Sequence, residues 1–261
     1  MKVPWFWRRK KGADGLLGYG IDDPVTVMSL VAGGACSGAA ALASDFLVRP
    51  RFSALGLVLV LVCGIFAFAF VALAAFLVFT SAVARAKGIK YLLRDVPLGG
   101  EELLIDFRCG RGQLAVAAAK ELNFGMVVCV DTWNPWHLTG NAPASLIANA
   151  RREMVDDRVS AVEGDPSVIP FLDGTFDAAV SSFGLSHLRR KRELDDSARE
   201  VVRVLKDGGR LSILATRLNK EYPKTLASLG MTDIKVGRVR YGVLPVAERL
   251  VARKHYAKGK R

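Results

Sequence analysis

The chain has 261 residues, 51% of them hydrophobic, a formal net charge of +12 and a mean hydropathy of +0.25. That balance excludes an ordinary soluble domain, because the apolar excess lies almost wholly in residues 25–84; the ~175 residues that follow suffice for one core. The charge suits nucleic acid or the anionic face of a membrane, but no RNP-like, zinc-finger or helix-turn-helix pattern supports a nucleic-acid partner.

The first segment, residues 1–24, is basic and aromatic. Lys2, Arg8, Arg9, Lys10 and Lys11 surround Trp5, Phe6 and Trp7, a composition suited to the headgroup level of a bilayer. Residues 25–44 carry no charge, and a helix of that length just crosses ~30 Å of hydrocarbon. After Arg49-Pro50-Arg51 comes a second uncharged run, residues 53–84, long enough to span with tilt. Ala41-Leu42-Ala43 before Ser44 resembles a signal-peptidase site, but the apolar stretch is too long and begins too late for a usual leader, so a retained helix is expected. Gly34-x-x-x-Gly38 would let the two helices approach closely as a hairpin. Arg85, Lys87, Lys90 and Arg94 follow the second run, whereas the loop holds only Arg49 and Arg51. Both termini are therefore expected on the cytoplasmic side, or its organelle equivalent, of a two-pass integral membrane protein. The anchor would comprise residues 25–87.

From about residue 100 the pattern changes. Strand-length apolar runs at 103–107, 126–131, 159–164, 176–183 and 209–216 alternate with helix-length segments ending near 122 and lying around 144–155 and 193–205. Such alternation predicts an α/β fold, a Rossmann-like, doubly wound, mostly parallel sheet, following the two-helix transmembrane hairpin. Ligands of such sheets bind beyond the carboxyl ends of the strands. The four cysteines (Cys36, Cys63, Cys109, Cys129) have no metal-site or disulfide spacing. The tail KHYAKGKR is basic and expected to fray.

The first strand runs into Asp106-Phe107-Arg108-Cys109-Gly110-Arg111-Gly112, where glycines allow close backbone approach to a ligand and the next helix offers its N-terminus. The second strand ends in Asp131, about 20 residues on, where an acid can accept hydrogen bonds from both hydroxyls of a ribose. Asp165 follows the third strand, in Glu163-Gly164-Asp165-Pro166, and can accept from an adenine amino group or serve simple turn chemistry. His187 follows the fourth strand, where it could act as a general base near neutral pH or be structural. Arg189-Arg190-Lys191-Arg192 forms either a solvated face or a contact for anionic headgroups.

This ordered set, with GDPSVIPFLDGTFDAAVSS (164–182) and AREVVRVLKDGGRLSIL (198–214), resembles the class I S-adenosylmethionine-dependent methyltransferases across roughly residues 88–255, nearest to the small-molecule and quinone branch. Residues 140–159 are also similar to a subgroup of bacterial-type, membrane-anchored methyltransferases. The resemblance implies a methyltransferase-like domain over 88–261 with S-adenosylmethionine as cofactor. Asp106, Gly110 and Gly112 would lie by the methionine moiety with Arg108, Asp131 and Trp133 would hold the ribose, Asp165 the adenine, and Ser182 would be a further cofactor-binding residue. Two positions depart from the pattern: Arg108 stands where the family has its first loop glycine, and Asp207 where it usually has proline. The expected partners are the lipid bilayer and a lipid-soluble small-molecule acceptor. The alternative, resting on Arg108, is a degenerate methyltransferase fold kept as a structural subunit of a membrane complex.

Overall fold

The computed structural model describes residues 19–20, 24–51, 53–188, 190–239 and 247–256; for residues 80–84, 186 and 187 it describes the backbone alone. The basic-aromatic cluster before residue 19, Arg189 and the end of the basic tail lie outside the described residues. Two compact units are present. One comprises Ile21–Ser81 with Trp136–Thr139; the other comprises Ala82–Pro135 and Gly140–Arg261, together with the described residues before Ile21.

In the first unit, α1 (Pro24–Ala43) is extended by a π-helical turn (Ser44–Val48), and α2 (Ser53–Asp95) follows. Pro24–Val48 and Ser53–Phe79 are long and apolar enough to cross a membrane, with mean hydropathies of 1.7 and 3.0, and only 6% of each window is buried. Met28, Leu42, Phe46 and Phe68 are fully displayed, a pattern that water penalises and hydrocarbon does not. Gly33 and Gly34 face α2: a Cβ on Gly34 would lie 3.0 Å from Val71 Cγ2 and 3.4 Å from the Ala67 carbonyl. Gly38 has nothing within 4 Å, so the close approach uses the adjacent glycine pair and not the expected four-residue spacing.

The second helix runs to Asp95, eleven residues beyond the expected end at 84. The extension is amphipathic, and Ile89 and Leu92 enter the core of the α/β unit. Within that unit Arg85 forks onto the chain just before the hairpin, donating to the Gly20 carbonyl at 2.6 Å and the Tyr19 carbonyl at 3.3 Å. The segment entering the first apolar helix thus meets the segment leaving the second. Burial pushes the Tyr19 phenol up to about 12, helped by Glu153 and opposed by Arg152.

The α/β unit holds a seven-stranded sheet in the order β3-β2-β1-β4-β5-β7-β6, from β1 (Leu103–Phe107), β2 (Met126–Asp131), β3 (Val159–Glu163), β4 (Phe176–Ser182), β5 (Leu205–Ala215), β6 (Met231–Val239) and β7 (Ala247–Lys254). The first five are parallel, while β7 runs antiparallel between β5 and β6. Helices α3 (Gln113–Ala119), α4 (Pro143–Arg152), α5 (Lys191–Val204) and α6 (Tyr222–Ser228) complete it. Strand side chains alternate between the two faces. Leu104, Cys129 and Val180 pack with α3, α4 and the end of α2, and Ile105, Val130 and Ile213 pack with α5 and α6.

The fifth strand begins at Leu205, not 209. The Lys206–Gly209 stretch is a bulge, since Phe176 pairs with Leu205 but Ala178 pairs with Arg210 and Gly208 has φ of +76°. Strands β6 and β7 and helix α6 were not anticipated. Arg203 fastens the 169–174 turn to α5, donating to the Ile169 and Phe171 carbonyls and pairing with Glu200 and Asp173.

Candidate cofactor site

Strand β1 pairs with β2 on one side and β4 on the other, so its loop leaves the sheet where the strand order reverses, at the crevice such folds use for ligands. Gly110 and Gly112 are both left-handed, with φ of 56° and 78°. A Cβ on Gly112 would also stand 2.9 Å from Leu146 Cγ, so that position excludes a side chain by conformation and by space.

Arg108 has φ of 57°. It adopts the left-handed conformation of the glycine it replaces, at a strain of about 1–3 kcal/mol, and its N–H donates to the Val130 carbonyl at 2.7 Å. The loop thus takes up the side chain as backbone strain. Space for the Cβ comes from Gly184, where a Cβ would lie 2.5 Å from the Arg108 Cβ and 2.7 Å from Ser181 Oγ. Burial lowers the Arg108 guanidinium from its ordinary value, while the charges of Asp131, Asp165 and Glu193 hold it up.

Asp106 is 1% exposed, and neither carboxylate oxygen has a hydrogen-bond partner. Burial, and then the Asp131 charge, raise its pKa well above the usual carboxylate range; the Ala115 N–H moderates the shift without reaching hydrogen-bonding geometry. The raised value implies a pH dependence. Folded Asp106 keeps its proton at pH values where the unfolded residue has lost it, so its contribution to stability is complete below the ordinary Asp value and is lost as pH rises toward the folded value. Asp106→Asn is therefore expected to raise the unfolding temperature at neutral pH and to flatten the decline of stability above about pH 4. Unfolding curves of both proteins across pH 3–8 measure this, and parallel profiles would contradict it.

Asp131, 6% exposed, is already engaged. Its Oδ2 accepts from Gly110 N at 2.9 Å, and its Oδ1 from Trp133 N at 2.9 Å and Asn141 Nδ2 at 3.3 Å. It ties the glycine loop to the turn after β2, and three donors leave room for about one more. Trp133 is itself left-handed, with φ of 52°, and its Nε1 is buried without a partner. Asn141, which no sequence signal marks, also donates to the Asn134 carbonyl at 3.2 Å and keeps an unpartnered Oδ1.

The remaining expected residues are spread around this centre. Ser182 ends β4 with an unpartnered buried hydroxyl. Asp165 is exposed, and its Oδ1 accepts from Ser167 N at 2.7 Å, which is the turn chemistry considered for it. His187 closes a 3-10 turn, Gly184–His187, beyond β4; its side chain lies outside the described residues. Gly184 was missed, and only its distance from Arg108 in space reveals it.

A family model described as a methyltransferase domain matches residues 105–213, the stretch from the cofactor loop through β5. That stretch of the α/β unit belongs to the methyltransferase-domain family. A demethylmenaquinone methyltransferase of Lactiplantibacillus plantarum is 33% identical to this methyltransferase domain over 130 residues, 49% of the chain and 50% of that protein. A ubiquinone/menaquinone biosynthesis C-methyltransferase of Roseobacter denitrificans is 32% identical over 118 residues, 45% of the chain and 43% of that protein. The chain spans about half the length of these curated relatives. Among solved structures, the [4+2]-cyclase SpnF is similar with a TM-score of 0.55 and 20% identity, over 67% of this chain and 82% of that one. Geranyl diphosphate methyltransferase in complex with S-adenosylmethionine gives 0.52 and 18%, over 65% and 85%. One is a cyclase and the other a methyltransferase, so the fold carries more than one reaction.

Proposed function

We propose that the chain is a membrane-anchored methyltransferase that binds S-adenosylmethionine at the glycine loop and methylates a small, lipid-soluble acceptor of quinone type. The observation that carries this reading is Asp106, a buried carboxylate without a partner beneath an intact loop. An unpartnered buried carboxylate is costly on its own, and a cationic ligand would relieve that cost. The printed activities of the quinone methyltransferase relatives support the acceptor class, and the two exposed apolar helices support a membrane location.

The cofactor supplies an electrophilic methyl group on a sulfonium. The chain's part is to align, to exclude water and to balance charge. Asp106 offers a negative charge to the methionine end, flanked by Gly110 and Gly112. Asp131 can accept one ribose hydroxyl with its remaining capacity, beside Trp133, and Ser182 adds a hydroxyl at the end of β4. His187 stands at the end of a strand adjacent to the cofactor loop, where a base would serve an acceptor that must lose a proton.

Titration calorimetry of the full chain in nanodiscs with S-adenosylmethionine tests the reading. Saturable binding is expected, with proton release as the ligand draws Asp106 into its ionised form, visible as a dependence of the heat on buffer ionisation enthalpy. No binding at millimolar cofactor would overturn it.

Topology has its own test. We infer that both termini share one side, from the cationic residues in the last turns of α2 and before α1. Single-cysteine labelling should place a probe at residue 50 opposite to probes at residues 10 and 255. Labelling of all three from one side would contradict the hairpin.

A further inference from the structure

A cleft of about 740 Å³ opens beyond the carboxyl ends of β4 and β5, a volume suited to a small organic ligand. It shares a wall with the cofactor loop: Gly184 lies against Arg108, and the next residue, Leu185, lines the cleft. Leu188, Leu194, Leu218 and Tyr222 also line it, giving an apolar floor. Tyr222 is 2% exposed, and its hydroxyl has no hydrogen-bond partner, the nearby Ser197 hydroxyl being out of bonding geometry.

The rim is cationic. Arg217, Lys220 and Arg238 all line the cleft, and none of the three forms an ion pair among the described residues. Two carboxylates stand among them, and both have other partners. Glu221 pairs with Lys224 at 2.9 Å. Glu248, opposite Arg238 in the β6–β7 register, accepts from the Leu218 amide at 2.7 Å. Three cations against two acids leave one positive charge in excess. A net positive rim around an apolar cleft favours acidic ligands, and a guanidinium fork suits a carboxylate or phosphate.

We propose that this cleft is the acceptor subsite and takes an apolar molecule bearing an acidic group, a carboxylate or phosphate, held by Arg217, Lys220 and Arg238; the acceptor role rests on the methyltransferase reading, whereas the binding does not. The quinone relatives suggest only the apolar body, and the three cations add the acid.

The test uses the full chain in phosphatidylcholine nanodiscs and equilibrium dialysis of 1-naphthyl phosphate, 1-naphthoate and the neutral 1-naphthamide, with empty discs as blank. The acids should bind at least tenfold more tightly than the amide. The variant R217Q/K220Q/R238Q should lose at least tenfold for the acids and little for the amide. All three positions are exposed, so the fold should survive, and R238Q alone, with an unchanged melting curve, should still weaken the acids severalfold. Equal binding of acid and amide, or unchanged affinity in the triple variant, would overturn the proposal. Displacement of naphthyl phosphate by monomeric dihexanoyl-phosphatidylglycerol would assign the cations to a lipid headgroup and overturn the acceptor role; no displacement supports it. A separate S-adenosylmethionine titration keeps the two readings distinct: its failure would remove the methyltransferase reading and leave the naphthyl phosphate result standing.

Discussion

Asp131→Ala should destabilise the α/β unit by about 3 kcal/mol and weaken S-adenosylmethionine binding at least tenfold. The substitution strands two backbone N–H groups, of Gly110 and Trp133, and the Asn141 amide. Each buried donor left unsatisfied costs about 1–3 kcal/mol, and a charged acceptor lies at the upper end. The cofactor effect has two sources, the lost ribose acceptor and the freed glycine loop. Asp131→Asn separates them. It keeps the shape and one acceptor oxygen but sets an NH2 group against the remaining donor, so it should lose less stability than alanine while still weakening the ligand. Chemical unfolding and calorimetry read the two quantities. An alanine variant of undiminished stability would show that the loop does not depend on this carboxylate.

The second large effect is expected at Gly184. A methyl group there meets the Arg108 Cβ at 2.5 Å, and overpacking of that kind costs about 1–3 kcal/mol. Gly184→Ala should thus cost about 3 kcal/mol beside Arg108. In an Arg108→Gly background the main obstruction is gone; Ser181 Oγ at 2.7 Å is the end of a rotatable side chain, and the carbonyl of residue 108 at 3.2 Å needs to give only slightly. Arg108→Gly alone should stabilise by about 1 kcal/mol through relief of its left-handed backbone, and should tighten the cofactor by roughly five- to thirty-fold. The double-mutant cycle should therefore show a coupling of about 1–3 kcal/mol. Additivity within about 0.5 kcal/mol would mean that the two positions do not share the space. Loss of cofactor binding in Arg108→Gly would identify the guanidinium as a ligand contact.

The sheet's centre was legible because its strands are short apolar runs closed by acids and glycines. The first two, 103–107 and 126–131, match the structure to the residue. The outer strands were not legible, for a physical reason. β6 is an edge strand whose Lys235, Val236 and Arg238 are exposed, so it presents no apolar run. β7 fully buries only Ala247, Leu250 and Ala252, at uneven spacing and among Glu248, Arg249, Arg253 and Lys254, so no period-two pattern marks it. At the site, Asp106, Gly110, Gly112 and Asp131 could be read from spacing because one loop and one strand end bring them together. Asn141 and Gly184 could not. Each acts through a neighbour distant in sequence, and a linear pattern carries no trace of that. Arg108 was legible as an anomaly, but its remedy at Gly184 lies 76 positions away.

The Arg85 fork onto the Tyr19 and Gly20 carbonyls gives the apolar helices a particular standing in the chain. The two points between which they are inserted are held in contact within the α/β unit itself. Closing a loop between points already joined carries little further entropy cost, whatever its length. The apolar segment is thus a cassette: a short polar turn in its place should leave the sheet, the cofactor loop and the cationic cleft unchanged. The apolar segment and the α/β unit can therefore change independently of one another, with Arg85 keeping the two ends of the insertion together.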